Sequence, residues 1–318
     1  MQKESNHTSA RKLIGSLTSH DVNRNRITHH SRFAVTNNFI PEPTVMSAHQ
    51  RRVDRYFKSA AKQWDEIYEL DTVYARIHQE RGRIVLSMSE NVAVPVEARV
   101  LEIGCGAGLA TVALAERGYA VEAVDTVRDM LLTTKARAAR AAVAHRIKVI
   151  QASADHLPYA DNQFNLVLAI GVLPWLACIR TAMMEFIRVI RPGGCLIVNI
   201  DNTWRLHELL DPRLHPVHSS VRHYLRKVLR LPAEAPPTQR CSPRKFDRLI
   251  DELRCTKIEA KLLGFGPFSF FGHPLFSESL NVKINGFLQN CADRRLPIIR
   301  FTAAQYITLL RKGGGSGQ

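Results

Sequence analysis

The sequence predicts an α/β fold, a doubly wound sheet of parallel strands with helices on both faces. Three observations predict it. The stretch Val100-Leu-Glu-Ile-Gly-Cys-Gly-Ala-Gly108 is an apolar run that ends in three glycines spaced two apart. After one helix length, Val121-Glu-Ala-Val-Asp125 is a second apolar run ending in an acid. Apolar runs at 99–103, 120–124, 147–151, 164–170 and 195–200 then alternate with helix-spaced runs at 107–118, 126–142 and 178–190. Strand, glycine turn, helix and strand in that order form a unit that binds a nucleotide at the carboxyl edge of a sheet.

The elements follow from the same reasoning. Residues 1–48 are rich in Ser, Thr, Asn, His and Arg without apolar periodicity, and read as a disordered leader, with Met46 a candidate start of the folded part. Residues 49–96 form an N-terminal helical cap. There Val53, Tyr56 and Phe57, then Trp64, Ile67 and Tyr68, then Val73, Ile77, Ile84 and Leu86 recur near i, i+3, i+4 spacing. Arg191-Pro-Gly-Gly194 reads as the turn into the strand at 195–200, because Pro stops one element and the glycines permit reversal. Trp204–Leu229 reads as helix broken by Pro212 and Pro216, Leu231-Pro-Ala-Glu-Ala-Pro-Pro237 as a linker, and Ser242-Pro-Arg244 as a helix start. Thr256–Leu263 is a sixth strand and 278–292 a further helix. Residues 313–318 are a flexible tail.

Composition narrows the class. At 318 residues and 45% hydrophobic, the chain can bury one large core. The net charge of +15 is spread along the chain; the first 52 residues hold eight Lys/Arg against three Asp/Glu. Acidic substrates, an anionic membrane surface or RNA are its conceivable beneficiaries. Cys105, Cys178, Cys195, Cys241, Cys255 and Cys291 lie far apart with no C-x-x-C pair, which argues for reduced thiols, a cytoplasmic setting and no metal site. No apolar stretch reaches 18 residues free of turns and charges, so no membrane span is expected.

The glycine spacing restricts the ligand. A dinucleotide fingerprint needs a third glycine three residues after Gly106, where Leu109 stands, and no Lys-Ser/Thr follows to grip a phosphate. Asp125 ends its strand where a carboxylate accepts bonds from ribose hydroxyls. Its alternative use is to cap the next helix. With E-x-G-x-G-x-G and this acid, the chain resembles the class I S-adenosylmethionine (SAM)-dependent methyltransferases, in particular the small-molecule branch related to the quinone-biosynthesis enzymes. The resemblance covers about residues 50–310.

It implies a seven-stranded Rossmann-like sheet whose last strand, 305–310, runs antiparallel, with an insertion between the last two strands. The methyltransferase domain then spans 97–312, with acceptor-side elements at 203–255 and 265–300. The cofactor implied is SAM, held by Glu102 at its cationic methionine end, by the backbone of Gly104, Cys105 and Gly106, by Asp125 at the ribose, and by Thr126 beside the adenosine. The backbone of Ile170 and Gly171 would line the methionine portion. One motif departs from the family: Gln151-Ala-Ser-Ala-Asp-His-Leu-Pro158 keeps Ala154 and the Leu-Pro but puts Ser153 where an Asp is usual. Ser153 can still bond the adenine amino group, though neutral bonds are weaker, and Asp155 is a candidate substitute. Asn165 likewise stands in a place where an acid is common.

Candidates for a general base are few. Tyr74 lies on a cap helix, with Tyr68 and Trp64 in the same region, and His156, His207, His215, His218 and His273 are titratable near working pH. His207 is preferred because it follows the strand at 195–200 and Asp201-Asn-Thr-Trp204. Val172-Leu-Pro-Trp175 carries no base, and Trp175 reads first as core. Gly264–Phe276 holds five phenylalanines in 13 residues, either an anchor for the C-terminal hairpin or a wall around an apolar acceptor. The expected activity is C- or O-methylation of an apolar, aromatic or lipid-like metabolite. The alternatives are an RNA or protein methyltransferase, or a non-catalytic SAM-binding protein. The missing N/D-P-P-Y/F tetrad argues against a nucleic-acid target.

Overall fold

The computed structural model describes residues 47–66, 70–92, 94, 95, 98–212, 214, 215, 236, 238–271 and 273–314, with the side chains of 61–66 excepted. The expected leader (all but its last two residues), His218, Ile67, Tyr68, nearly all of the 231–237 linker and the end of the tail lie outside the described residues. So do the side chain of Trp64 and the 204–229 helix beyond 215.

The cap is two helices, α1 (Ala48–Glu66) and α2 (Val73–Asn91). Thr72 starts α2, its hydroxyl accepting from the Ala75 amide at 3.1 Å and satisfying one of the otherwise orphaned first-turn donors. The sheet begins with β1 (Arg99–Ile103), β2 (Ala120–Asp125), β3 (Ile147–Gln151), β4 (Phe164–Ala169) and β5 (Ile190–Asp201). Between these strands run α3 (Leu109–Glu116), α4 (Arg128–Arg140) and α5 (Ile179–Val189). Then come α6 (Leu206–Leu210), α7 (Pro243–Glu252) and β6 (Cys255–Leu263). The small pair β7 (Ser269–Phe270) and β8 (His273–Pro274), α8 (Glu278–Asp293), α9 (Pro297–Arg300) and β9 (Gln305–Lys312) complete the order. Pro243 at the first position of α7, capped by the Ser242 hydroxyl, marks the helix start that the sequence signalled.

The seven strands lie in the order β3-β2-β1-β4-β5-β9-β6. β1 to β5 pair in parallel, and β9 is inserted antiparallel to both β5 and β6. Side-chain alternation divides the core cleanly. Val100, Leu166, Leu168, Cys195 and Ile197 face a cluster with Val73, Ile77, Val85 and Met88 of α2. Leu101, Ile103, Val167, Ala169, Leu196 and Val198 face Met183 and Phe186 of α5 and Phe246 of α7. Both faces being covered explains why β4 is buried at all six positions.

Two expectations are corrected. Arg191-Pro-Gly-Gly194 is not a turn before the strand; it is an excursion inside β5. Phe164 pairs with Ile190 and Leu166 with Cys195, so four residues of β5 bulge opposite Asn165. Gly193 at φ +75° makes the loop possible. The phenylalanine segment is also not uniform. Phe265 and Phe268 are buried with Ala292 and Ala303, whereas Phe270, Phe271 and Phe276 are exposed on and beside the β7–β8 hairpin.

Candidate active site

A cleft of about 570 Å³ opens at the carboxyl ends of β1, β2, β4 and β5, beneath α1 and α2. This is where a doubly wound sheet places its ligand: the loops leaving neighbouring strands diverge there. Its floor is the loop after β1. The Gly104 and Cys105 amides both donate to the Val124 carbonyl, at 2.7 and 3.0 Å, folding the chain back over the end of β2. A Cβ on Gly104 would stand 2.5 Å from the Val172 side chain, so only glycine fits there. Gly106, at φ +52°, has no atom within 4 Å of where a Cβ would be, which leaves an open approach to backbone.

Two acids converge on this loop. Asp125 accepts from the Gly106 amide through Oδ2 at 3.0 Å and from the Val127 amide through Oδ1 at 2.9 Å. It thus braces the turn between β2 and α4 and lines the cleft. Burial pushes its carboxyl above the usual range, opposed by those amide bonds and reinforced by Asp54. Glu102 is buried, accepts a hydrogen bond from the Thr111 hydroxyl of α3, and is pushed up to about 7 by burial, with the Asp125 charge adding to the effect. A buried pair of carboxylates facing one cleft is an environment that a cationic ligand would relieve.

The cap closes the other side. Gln50, Val53 and Phe57, one face of α1, line the cleft. α1 is fastened at both ends of the site. The Thr126 hydroxyl and the Gln50 amide nitrogen donate to Asp54 Oδ1, at 2.7 and 2.8 Å, and His49 Nε2 donates to the Trp175 carbonyl at 2.7 Å. Tyr56 stacks on Trp175 with ring centres 5.4 Å apart, and Phe57 meets the same indole edge-on at 4.9 Å. Trp175 is thus the clasp of the cap as well as a wall of the cleft.

From α2, Tyr74, His78 and Arg81 reach the cleft. The carbonyl of Tyr74 can only accept, so its 2.8 Å contact makes His78 Nδ1 the donor. Burial, with Arg81 beside it, lowers His78 to about 3 and keeps it neutral. The Arg81 guanidinium rests 3.5 Å from where a Cβ of Gly171 would lie, and no carboxylate among the described residues pairs with it. At the far end stand Asp201, paired with Arg205 at 2.5 Å, and Gln305, whose buried Oε1 has no hydrogen-bond partner among the described residues.

Of the expected cofactor residues, Glu102, Gly104, Cys105, Gly106, Asp125, Thr126, Ala154 and Ile170 all line this cleft. Thr126 does so with its hydroxyl already committed to Asp54. Ser153 does not line it. Its hydroxyl accepts from the Asp155 amide at 3.4 Å and its backbone bridges His156, so the side chain stays within its own loop. Asp155 is no substitute, for it too lies off the cleft, facing the charges of His49 and Glu185. The cleft has here an apolar wall of Met130, Val127, Ala152, Ala154 and Leu176. Tyr74 is at the cleft, but His207 is not. On α6 its Nδ1 is buried without a partner among the described residues, and burial beside Arg205 and Arg240 lowers it to about 3. None of the five phenylalanines of 264–276 lines this cleft, and Phe265 and Phe268 instead pack with Ala292 and Ala303.

Sequence reading missed His78, Arg81 and Gln305. His78 and Arg81 stand four and seven residues after Tyr74, on one helix face, which is the signal that would have found them.

Residues 101–198 match the family described as a methyltransferase domain. The chain is 33% identical over 167 residues to a malonyl-[acyl-carrier protein] O-methyltransferase of Halorhodospira halophila, covering 52% of this chain and 53% of that protein. It is 27% identical over 167 residues to a methyltransferase of Streptomyces halstedii (GfsG), covering 49% and 60%. The chain therefore spans little more than half the length of these curated relatives. Among solved structures, a geranyl diphosphate C-methyltransferase of Streptomyces coelicolor superposes with a TM-score of 0.54 at 12% identity, covering 84% of this chain and 98% of that one. The [4+2]-cyclase SpnF superposes at 0.50 with 16% identity, covering 74% and 82%. Its presence shows that the fold alone does not choose the reaction.

Proposed function

Through its domain at 101–198 this chain belongs to the class I SAM-dependent methyltransferases, and from that premise we propose that it methylates a small-molecule acceptor of apolar, aromatic or lipid-like character at carbon or oxygen. The observation that carries the reading is the charge pattern of the cleft. Asp125 and the open Gly106 backbone suit a ribose. Buried Glu102 suits a cationic centre, and Arg81 on the Gly171 backbone suits a carboxylate. A zwitterionic amino acid joined to a nucleoside matches all three, and the apolar wall around Met130 suits its base.

SAM supplies a sulfonium-bound methyl group. The chain's own work is to orient that group and keep water out, an effect worth up to about 7–11 kcal/mol. α1 and the Trp175 clasp provide the exclusion. His78 lines the cleft as a neutral imidazole whose lowered pKa suits it to orienting an acceptor rather than to taking its proton. Gln305 Oε1, at the Asp201 end of the cleft, offers an acceptor with no hydrogen-bond partner among the described residues.

Calorimetric titration with SAM and with S-adenosylhomocysteine tests the cofactor assignment, and mass-labelled methyl transfer into fractionated small metabolites tests the acceptor. Micromolar binding lost in Asp125→Ala is the expected result. Wild-type-like affinity in both Asp125→Ala and Arg81→Ala would remove the reading.

A further inference from the structure

We propose that the insertion between β6 and β9 is a docking surface for an anionic lipid membrane. From Phe270 to Leu280 every described residue is exposed, and the run includes Phe270, Phe271, Leu275, Phe276 and Leu280. On α8 the exposed positions Leu280, Lys283, Phe287, Asn290 and Arg294 recur at three and four residues and form one stripe. The opposite side of the helix, with Asn281, Ile284, Leu288 and Ala292, turns inward. Phe287 is 67% exposed and Ile298, in the next helix, 83%. Aromatic and aliphatic side chains left in water at this density mark an interaction surface.

The insertion is one unit. Asn281 ties the hairpin to α8, donating to the Phe276 carbonyl at 3.2 Å and accepting from the Phe268 amide at 3.3 Å. α8 runs directly into Arg294-Arg295-Leu296-Pro297-Ile298-Ile299-Arg300-Phe301, in which basic and apolar residues interleave. Arg244 and Arg300 both lie over the Phe301 ring, at 5.2 and 5.3 Å. The insertion stays net basic, with Lys283, Arg294, Arg295 and Arg300 against Glu278, which accepts from the Val73 amide of α2, and Asp293, which accepts from Gln289 at 3.1 Å.

The charge selects the occupant. A two-fold contact between copies would set Arg294, Arg295 and Arg300 against the same residues of the partner, in a chain of net charge +15. An anionic leaflet attracts those charges while its acyl boundary takes up the apolar side chains. No helix among the described residues is long and apolar enough to cross a bilayer, so the attachment is peripheral. The proposal does not depend on which acceptor the cleft takes.

The test is flotation of the full chain with vesicles of phosphatidylcholine alone or doped with phosphatidylserine, at low and high salt. Two variants accompany it, Phe287→Ser with Ile298→Ser, and Arg294→Glu with Arg295→Glu. Binding to the doped vesicles only, weakened at least about tenfold by either variant with unchanged thermal melting, supports the surface. Absence of wild-type binding overturns it, as does binding that neither variant reduces, since the charge elsewhere on the chain would then account for it. Concentration-dependent dimerisation abolished by the Ser variant, without vesicle binding, would assign the face to a second copy.

Discussion

Glu102 is a carboxylate held where it costs the empty protein stability. Its folded value near 7 lies above the 4.5 of a free Glu, so between those values the folded state binds more protons than the unfolded one, and stability falls as pH rises through that window. Above pH 7 the full cost is present, about 3 kcal/mol for a shift of this size in a fully buried group. Glu102→Gln is accordingly expected to raise Tm at pH 8 and leave it nearly unchanged at pH 4, as differential scanning calorimetry would show. The same variant should lose cofactor affinity. In the wild type, affinity should climb up to tenfold per unit between about pH 5.5 and 7, because a cation displaces the proton. Asp125 behaves differently. Asp125→Ala removes two amide bonds and the proposed ribose partner, an expected loss of about 2 kcal/mol or more and roughly thirtyfold in Kd by titration. At this scale the two acids that line the cleft were legible, since their places at and next to a strand end before the glycine loop and the next helix single them out. His78 and Arg81 were not, because a helical face shows its apolar members more clearly than the polar residues facing a ligand.

At the scale of the element, α1 is attached through side chains from the strand-end loops. His49, Asp54, Tyr56 and Phe57 fasten it to Trp175 and Thr126, and Val53 is its one fully buried apolar residue among those with described side chains. Few buried apolar contacts give a low local opening energy. His49→Ala combined with Asp54→Ala should speed amide exchange across 48–66 by about tenfold while β1 and β4 stay protected, and added S-adenosylhomocysteine should restore part of the protection. Exchange mass spectrometry reads both. Equal acceleration in β4 would mean that α1 belongs to the core. The sequence showed a helical cap from the spacing of Val53, Tyr56 and Phe57, but assigned Trp175 first to packing. An indole four strands and three helices away in sequence gives no sign of which helix will stack on it. The RPGG excursion was hidden for a similar reason: Pro and Gly mark a reversal equally well inside a bulged strand and before one.

At the scale of the whole molecule, period-two alternation in β1, β4 and β5 determines both cores, and it was readable as soon as the strands were. Phe186 shows the consequence. It is wholly buried on the α5 face among Met183, Val167 and Leu196. Phe186→Ala should cost about 3–5 kcal/mol and lower Tm by roughly 10 °C, without altering the cofactor Kd of the molecules that remain folded. The parallel half of the sheet was visible from strand–helix alternation, and the antiparallel direction of the last strand came from likeness to a family, whereas its place between β5 and β6 was not read, since no local pattern states which strand a late segment will join.

That placement has a consequence for how the chain assembles. β6 touches the sheet only through β9, and β9 pairs with a strand more than a hundred residues earlier. Until the final apolar segment arrives, β5 is a bare rim whose residues from Cys195 to Ile200 are all destined for burial. The nascent polypeptide thus carries a sticky, half-finished layer from the completion of β5 until β9 is made, and this long-range closure is a slow one. Chaperone dependence and aggregation should therefore track substitutions in β9 more closely than any residue of the cleft.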